Sequence, residues 1–283
     1  MNDILFKLLM PVLPKSDLSH WVGKFAHQKW PEPVNQLIIQ KFAEAYNIRL
    51  DEAEKDISEY STLGEFFTRR LKPGVRPIGT GILHPCDALI TSAGKIDSQR
   101  LMQAKGKSYS CAELLRNSRL AHEFEGGTFI TYYLCPTDYH RVHSSVDGNI
   151  IWSCHIPGEF WPVNDWSVKN VSNLFSENER VVTLIDSKGF GKVALVLVAA
   201  TNVGNIQMFY DENICTNRRS HEEHVREKTY DLPRPIDRGD ELGMFKMGST
   251  VIALYGAGQI PNHGLDLIGK NSKVAASFFG GGA

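Results

Sequence analysis

The segment Gly239-Asp-Glu-Leu-Gly-Met-Phe-Lys-Met-Gly-Ser-Thr-Val-Ile-Ala-Leu-Tyr255 ends in an apolar run that opens on Gly248-Ser249-Thr250. On turn chemistry alone this is a turn entering a strand. It has a second capability. A serine that follows glycine has an unhindered carbonyl on its N-terminal side, so a turn that presses Ser249 Oγ against the Gly248 carbonyl carbon lets the hydroxyl attack its own backbone. Such a hydroxyl is a weak nucleophile until a base takes its proton. His140 and His143, in Asp138-Tyr-His-Arg-Val-His143, offer two imidazoles three residues apart. On a strand they would point to opposite faces, whereas in a turn they could converge. The pair also suits hydrogen-bonded structural histidines or half of a metal site. A base needs an orienting carboxylate in turn. Asp87, in His84-Pro-Cys-Asp-Ala-Leu-Ile90, stands at a Pro-marked entry to a β run, where aspartate also serves as a cap or turn residue.

The elements that must position these groups are mostly strands. From about residue 83 the chain breaks into short β-rich runs, predicted at 88–96, 127–135, 149–155, 181–186, 192–201 and 203–210, with one clear helix at 112–120. This pattern predicts an α+β fold: a β-rich antiparallel or mixed sheet core, barrel- or sandwich-like, with amphipathic helices at the N-terminus. Thr62-x-x-Glu65 is a capping-box pattern ahead of Phe66, Phe67 and Leu71, and Lys72-Pro73-Gly74 is the expected stop.

Residues 1–49 read as three short helices punctuated by prolines, with apolar stripes that include Leu5, Leu8 and Leu9, then Trp21 and Phe25. Apolar faces, tryptophans and basic flanks suit either a layer on the protein's own core or a helix group lying on an anionic leaflet. The expected division is a helical, membrane-associating region 1–60 and a β-rich catalytic region 61–283.

The 283 residues suffice for a sizeable core, and 42% apolar with 22% charged residues is ordinary for a globular protein. With 31 basic against 32 acidic residues there is no global attraction to nucleic acid. Five cysteines without CxxC spacing argue against a disulfide framework or a cysteine-built zinc site, and fit a reducing compartment. No run approaches the roughly 18 to 20 apolar residues that span a bilayer. The first residues also lack a basic n-region and a small-residue cleavage site. The expectation is therefore a cytosolic protein that meets a membrane from its surface.

Taken together, five separated blocks resemble the phosphatidylserine decarboxylase family in order along nearly the whole chain. They are Thr62-Leu-Gly-Glu-Phe-Phe-Thr-Arg-Arg-Leu-Lys-Pro-Gly-Val-Arg-Pro-Ile78, Gln103-Ala-Lys-Gly106, Pro136-Thr-Asp-Tyr-His-Arg-Val-His143, Asn173-Leu-Phe-Ser-Glu-Asn-Glu-Arg-Val-Val182 and Phe245-Lys-Met-Gly-Ser-Thr-Val251. The resemblance implies a proenzyme that cuts itself between Gly248 and Ser249 into a large subunit, 1–248, and a small one, 249–283. Ser249 would become a covalent pyruvoyl group, the only cofactor implied, with no metal. Phosphatidylserine would then lose carbon dioxide through a Schiff base to give phosphatidylethanolamine. Carried over residue by residue, Ser249 is the nucleophile, His143 its base and Asp87 the carboxylate orienting that imidazole. His140, read as titrating near neutral pH, serves the later decarboxylation.

The implied partners are the membrane lipid and the two subunits of one precursor, with a homodimer left open and no nucleic acid. The implied place is the cytoplasmic face of the cell membrane, held peripherally. Family members commonly read Leu-Gly-Ser-Thr and Asp-Gly where this chain has Met247 and Ala88, the latter uncomfortable if that position needs a positive φ. Three rivals remain: a serine hydrolase built on Asp87, His143 and Ser249, although no Gly-x-Ser-x-Gly elbow is present; a non-catalytic β-rich membrane module; and a soluble pyruvoyl amino-acid decarboxylase.

Overall fold

A computed structural model describes residues 24–104, 106–201, 205–214, 216, 224–246 and 249–280. Leu5, Leu8, Leu9, Trp21, Met247, Gly248 and the side chain of Ser249 lie outside the described residues. Along the chain the helices are α1 (Glu32–Ala45), α2 (Leu63–Phe67), α3 (Cys111–Leu115), α4 (Ser118–Glu123), α5 (Asp165–Asn170) and α6 (Leu174–Glu177). The strands are β1 (Ile82–Leu83), β2 (Ala88–Lys95), β3 (Arg100–Ala104), β4 (Lys107–Ser110), β5 (Thr128–Leu134), β6 (Arg141–His143), β7 (Gly148–Ile156) and β8 (Arg180–Ser187), followed by β9 (Gly191–Val198), β10 (Ile206–Met208), β11 (Arg226–Ile236), β12 (Glu241–Phe245), β13 (Ser249–Tyr255), β14 (Asn271–Ser272) and β15 (Ser277–Phe279).

Eight strands form the main sheet in the order β11-β7-β8-β9-β13-β5-β2-β14, each pair antiparallel. The order is open and does not close into a barrel. The fold is α+β, as the sequence pattern implies. Strands β8 and β9 are apolar and buried along most of their length, Val193 to Val198 without a break, because both faces of the sheet's centre are covered. A three-stranded sheet, β10-β12-β6, continues from the end of β5.

Local chemistry explains where the helices stop. Thr62 Oγ1 accepts from the Glu65 N–H at 3.1 Å, as expected of an N-cap, but the Glu65 carboxylate takes the N–H of Ser61 at 2.9 Å. The helix ends at Phe67, ahead of Lys72-Pro73-Gly74, where Thr68 Oγ1 donates back to the Gly64 carbonyl at 3.0 Å. The single helix expected at 112–120 is two, because Arg116 turns left-handed (φ 53°) and Asn117 caps Leu120 to start the second. A smaller apolar cluster of Ile39, Ala43, Ile48, Tyr60, Leu63 and Phe66 ties α1 to α2, so it draws on both sides of residue 60. Among the described residues no helix is long and apolar enough to cross a membrane.

Candidate active site

Two ladders bring the chemistry-bearing segments together. Strand β13 pairs with β5 from Ser249↔Leu134 to Tyr255↔Thr128, and β12 pairs with β6 through Met244↔Arg141. Residues 135–140, which carry Asp138 and His140, therefore leave β5 beside the start of β13. The carbonyl of His140 accepts from the Phe245 N–H at 3.0 Å, fixing this turn to the end of β12. Asp87 sits immediately before β2, the neighbour of β5 on its other side.

The two imidazoles do not converge. His143 faces Gly239 and Tyr139: its Nδ1 lies 2.6 Å from the Gly239 carbonyl and its Nε2 lies 3.1 Å from the Tyr139 hydroxyl. A carbonyl can only accept, so Nδ1 carries the proton and Nε2 holds the lone pair that Tyr139 O–H addresses. Gly239 reaches this position with φ 85°, a left-handed conformation that suits glycine. Burial lowers the His143 pKa below the ordinary value, outweighing the Gly239 carbonyl and the nearby charges of Glu241 and Asp87, which favour the protonated ring.

His140 is fully buried, its ring stacked on Phe67 at 4.0 Å between centroids. Neither ring nitrogen makes a hydrogen bond of good geometry, although the Cys135 and Pro136 backbone lies close to the ring. The Cys135 and Pro136 backbone nearby favours the protonated ring, but burial first and then the Arg69 guanidinium push the pKa down to about 3. The sequence reading expects this imidazole to titrate near neutrality; burial in this packing favours the neutral ring. Arg69 is itself buried, with Nε and Nη1 unpartnered and its face over the Phe66 ring.

Asp87 makes no hydrogen bond to His143. Its carboxylate accepts from Arg76 Nε at 3.2 Å and Nη2 at 2.5 Å, from Lys273 Nζ at 3.0 Å and from the Val274 N–H at 2.7 Å. The Gly239 carbonyl occupies the place expected for it on the imidazole. Burial works to raise the Asp87 pKa, yet the Arg76, Val274 and Lys273 contacts outweigh it and hold the group ionised below the usual carboxylate range. Ala88 lies in β2 without a positive φ, so alanine there imposes no strain. Asp138, half-buried, is pushed up to about 6, by burial first and in smaller part by the like charge of Asp87.

A cavity of about 600 Å³ lies over β2, β5 and the start of β13. Leu89, Tyr133 and Thr250 stand in one cross-strand row over β2, β5 and β13, and all three line it. Thr250 is fully buried and its Oγ1 has no partner. The remaining lining includes Gln103, Val163, Asp165, Val168, Lys169 and Phe175.

Several of these residues carried no signal of their own. Arg76 and Gln103 lie within family-like segments whose residue types give them no role on their own, and Lys273 meets Asp87 across 186 positions of sequence. Only the pairing of β14 with β2 creates that contact.

Fold and site together define an α+β protein in which a serine opens an interior strand, between a buried histidine-bearing turn and a cavity of ligand size. The matching family model is that of phosphatidylserine decarboxylase, over residues 63–277. The chain is 45% identical over 258 residues to the phosphatidylserine decarboxylase proenzyme of Myxococcus xanthus (strain DK1622), covering 90% of each. It is 42% identical over 263 residues to the proenzyme of Anaeromyxobacter sp. (strain K), covering 92% of each. For the proenzyme of Brevibacillus brevis the identity is 42% over 264 residues, again 92% of each. The chain belongs to the phosphatidylserine decarboxylase family.

Proposed function

We infer that this chain is a phosphatidylserine decarboxylase proenzyme that cuts itself between Gly248 and Ser249. The observation that carries the reading is the position of residue 249: it opens interior strand β13, one residue before a buried, unpartnered hydroxyl that lines the 600 Å³ cavity. A carbonyl group formed at 249 would stand at that cavity, and the Thr250 hydroxyl is free to meet it or its substrate.

In maturation, His143 Nε2 takes the Ser249 hydroxyl proton and the oxygen attacks the Gly248 carbonyl carbon. The peptide C–N bond breaks, an ester forms and the proton passes to the released amine. Loss of the Ser249 α-proton with departure of the Gly248 carboxylate leaves dehydroalanine, which takes up water and releases ammonia to give the pyruvoyl group. The Gly239 carbonyl selects the tautomer that leaves Nε2 basic, and Asp87 acts on His143 through its charge. Tyr139 must give up its bond to Nε2 for the proton to arrive. This role for the Gly239 carbonyl replaces the hydrogen bond first expected from Asp87.

The pyruvoyl group, once formed, supplies an electron-withdrawing carbonyl that accepts the electrons released as carbon dioxide leaves. Around it, Tyr133, Leu89 and Val163 exclude water, and His140, neutral in the packing of the uncut chain, is assigned to the later decarboxylation, where it can return a proton to the substrate α-carbon only after its surroundings change enough for the ring to take one up. The substrate is phosphatidylserine and the product phosphatidylethanolamine. Half-exposed Phe25 and the exposed apolar side chains of Trp30, Val34 and Leu37 on the helical layer support docking on the cytoplasmic face of the membrane, where the lipid keeps its acyl chains.

Denaturing mass spectrometry of the purified chain tests this: fragments ending at Gly248 and beginning with a pyruvoyl-modified residue 249, together with carbon dioxide release from phosphatidylserine, are expected. Ser249→Ala and His143→Ala should leave one chain, whereas His140→Ala should cut but not decarboxylate. Normal cutting of His143→Ala would remove His143 as the base.

A further inference from the structure

The cavity beside Thr250 has a roof made by α5 and the start of α6, which contribute Asp165, Val168, Lys169 and Phe175. One side chain from β3 pins this roof. Gln103, 4% exposed, donates from Nε2 to the Val168 carbonyl at 2.8 Å and to the Val171 carbonyl at 2.7 Å, and its Oε1 accepts from the Leu174 N–H at 2.9 Å. Both amide hydrogens and the carbonyl oxygen of this side chain take part in holding the end of α5 to the start of α6. The two carbonyls it covers belong to the negative end of α5, where an anion would otherwise be repelled.

Lys169 stands on this same end. It is the only Lys or Arg among the described residues that line the cavity, it is exposed, and no carboxylate of the described residues lies within ion-pair distance of it, Asp165 one turn earlier included. In the cross-strand row with Thr250 the lining is Leu89 and Tyr133, without a cation.

We propose that Lys169 is the specificity residue of the decarboxylation, receiving the phosphodiester anion of the headgroup, and that Gln103 is the positioning residue that holds it over the cavity. The proposal rests on the decarboxylase reading. The substrate amine must reach residue 249, so its carboxylate lies in the apolar inner part and its phosphodiester, one CH2–O unit further out, lies toward the rim. That division suits the reaction. A cation against the carboxylate would stabilise the state that has to be lost, whereas a cation on the phosphate binds ground and transition states alike. Lys169 should therefore govern KM and not kcat.

The test uses the full chain in neutral detergent micelles with three substrates: phosphatidylserine, glycerophosphoserine and O-methylserine. Lys169→Met should raise KM about tenfold for the two phosphodiesters, the size of one partly exposed charge-assisted contact. It should leave kcat, self-cutting and the O-methylserine KM unchanged, and Lys169→Arg should restore the phosphodiester KM. Gln103→Leu should reproduce the Met phenotype while still cutting. Binding of glycerophosphoserine to uncut Ser249→Ala, read by calorimetry, should weaken by the same factor when Lys169→Met is added. Equal KM changes on all three substrates, an effect confined to the bilayer-forming lipid, or unaltered binding would each overturn the proposal. Wild-type chain that released no carbon dioxide from phosphatidylserine would instead overturn the functional reading beneath it.

Discussion

A backbone carbonyl, not a carboxylate, holds the imidazole of His143, so on the proposed mechanism a glycine helps to set the base. Replacing Gly239 by alanine forces a left-handed residue to carry a Cβ, which would also press on Ile78 at 3.2 Å. The strain costs about 1 kcal/mol or somewhat more, and relaxing it moves the carbonyl off Nδ1. Gly239→Ala should cut more slowly than wild type, as read from the uncut fraction against time, while Gly74→Ala, at a positive φ with no neighbour near its Cβ, should cut normally. His140 makes a second prediction at this scale. Its folded pKa of about 3 lies below the ordinary 6.5, so the neutral ring is the form the fold accepts. The stability it contributes is complete above pH 6.5 and is lost as pH falls toward 3. Unfolding free energies from urea titration of His140→Leu should fall less steeply with acid in that window, by up to about 1.4 kcal/mol per pH unit. Equal slopes for the two proteins would mean that the ring is not held neutral.

At the scale of elements, Asp87 is a clasp between the entry to β2 and the stretch after β14, with Arg76 carrying it on to Glu52 at 2.7 Å. Removing the charge leaves Arg76 and Lys273 facing a neutral amide, and breaking such a buried pair costs about 3–5 kcal/mol. Asp87→Asn should therefore melt well below wild type in the non-cutting Ser249→Ala background, where any effect on cutting is absent. An unchanged melting temperature would show that the clasp adds nothing. This level also shows how far the sequence could be read. The apolar runs that became β2, β5, β7, β8 and β9 are legible because burial leaves them rich in Val, Ile and aromatic residues. Strand β11 is not legible in the sequence because an edge strand can carry Arg226, Glu227, Lys228 and two prolines, Pro233 and Pro235, which cancel the β signal. The residue types at the site were legible as well. Their partners were not: Gly239 for His143, Phe67 for His140 and Lys273 for Asp87 are set by packing between segments distant in sequence.

The whole molecule places residue 249 at the head of an interior strand, with β9 on one side and β5 on the other, and the segment continues through β14 and β15 to pair with β2 and β1. A piece of 35 residues cut free at that point is woven into the sheet and gives it Val251, Ile252, Ala253 and Leu254, all fully buried. It cannot leave without dismantling the core. The two products should therefore co-migrate on size exclusion under native conditions and part only in denaturant. Precursor and processed forms should differ sharply on dilution from urea, Ser249→Ala regaining structure independently of concentration and the processed pair regaining less as it is diluted. Equal recovery of both at every concentration would contradict the interwoven arrangement. Maturation on this plan is a ratchet: the chain has one opportunity to thread that strand, while it is still a single polymer, and afterwards its shape is a memory of a connectivity it no longer has.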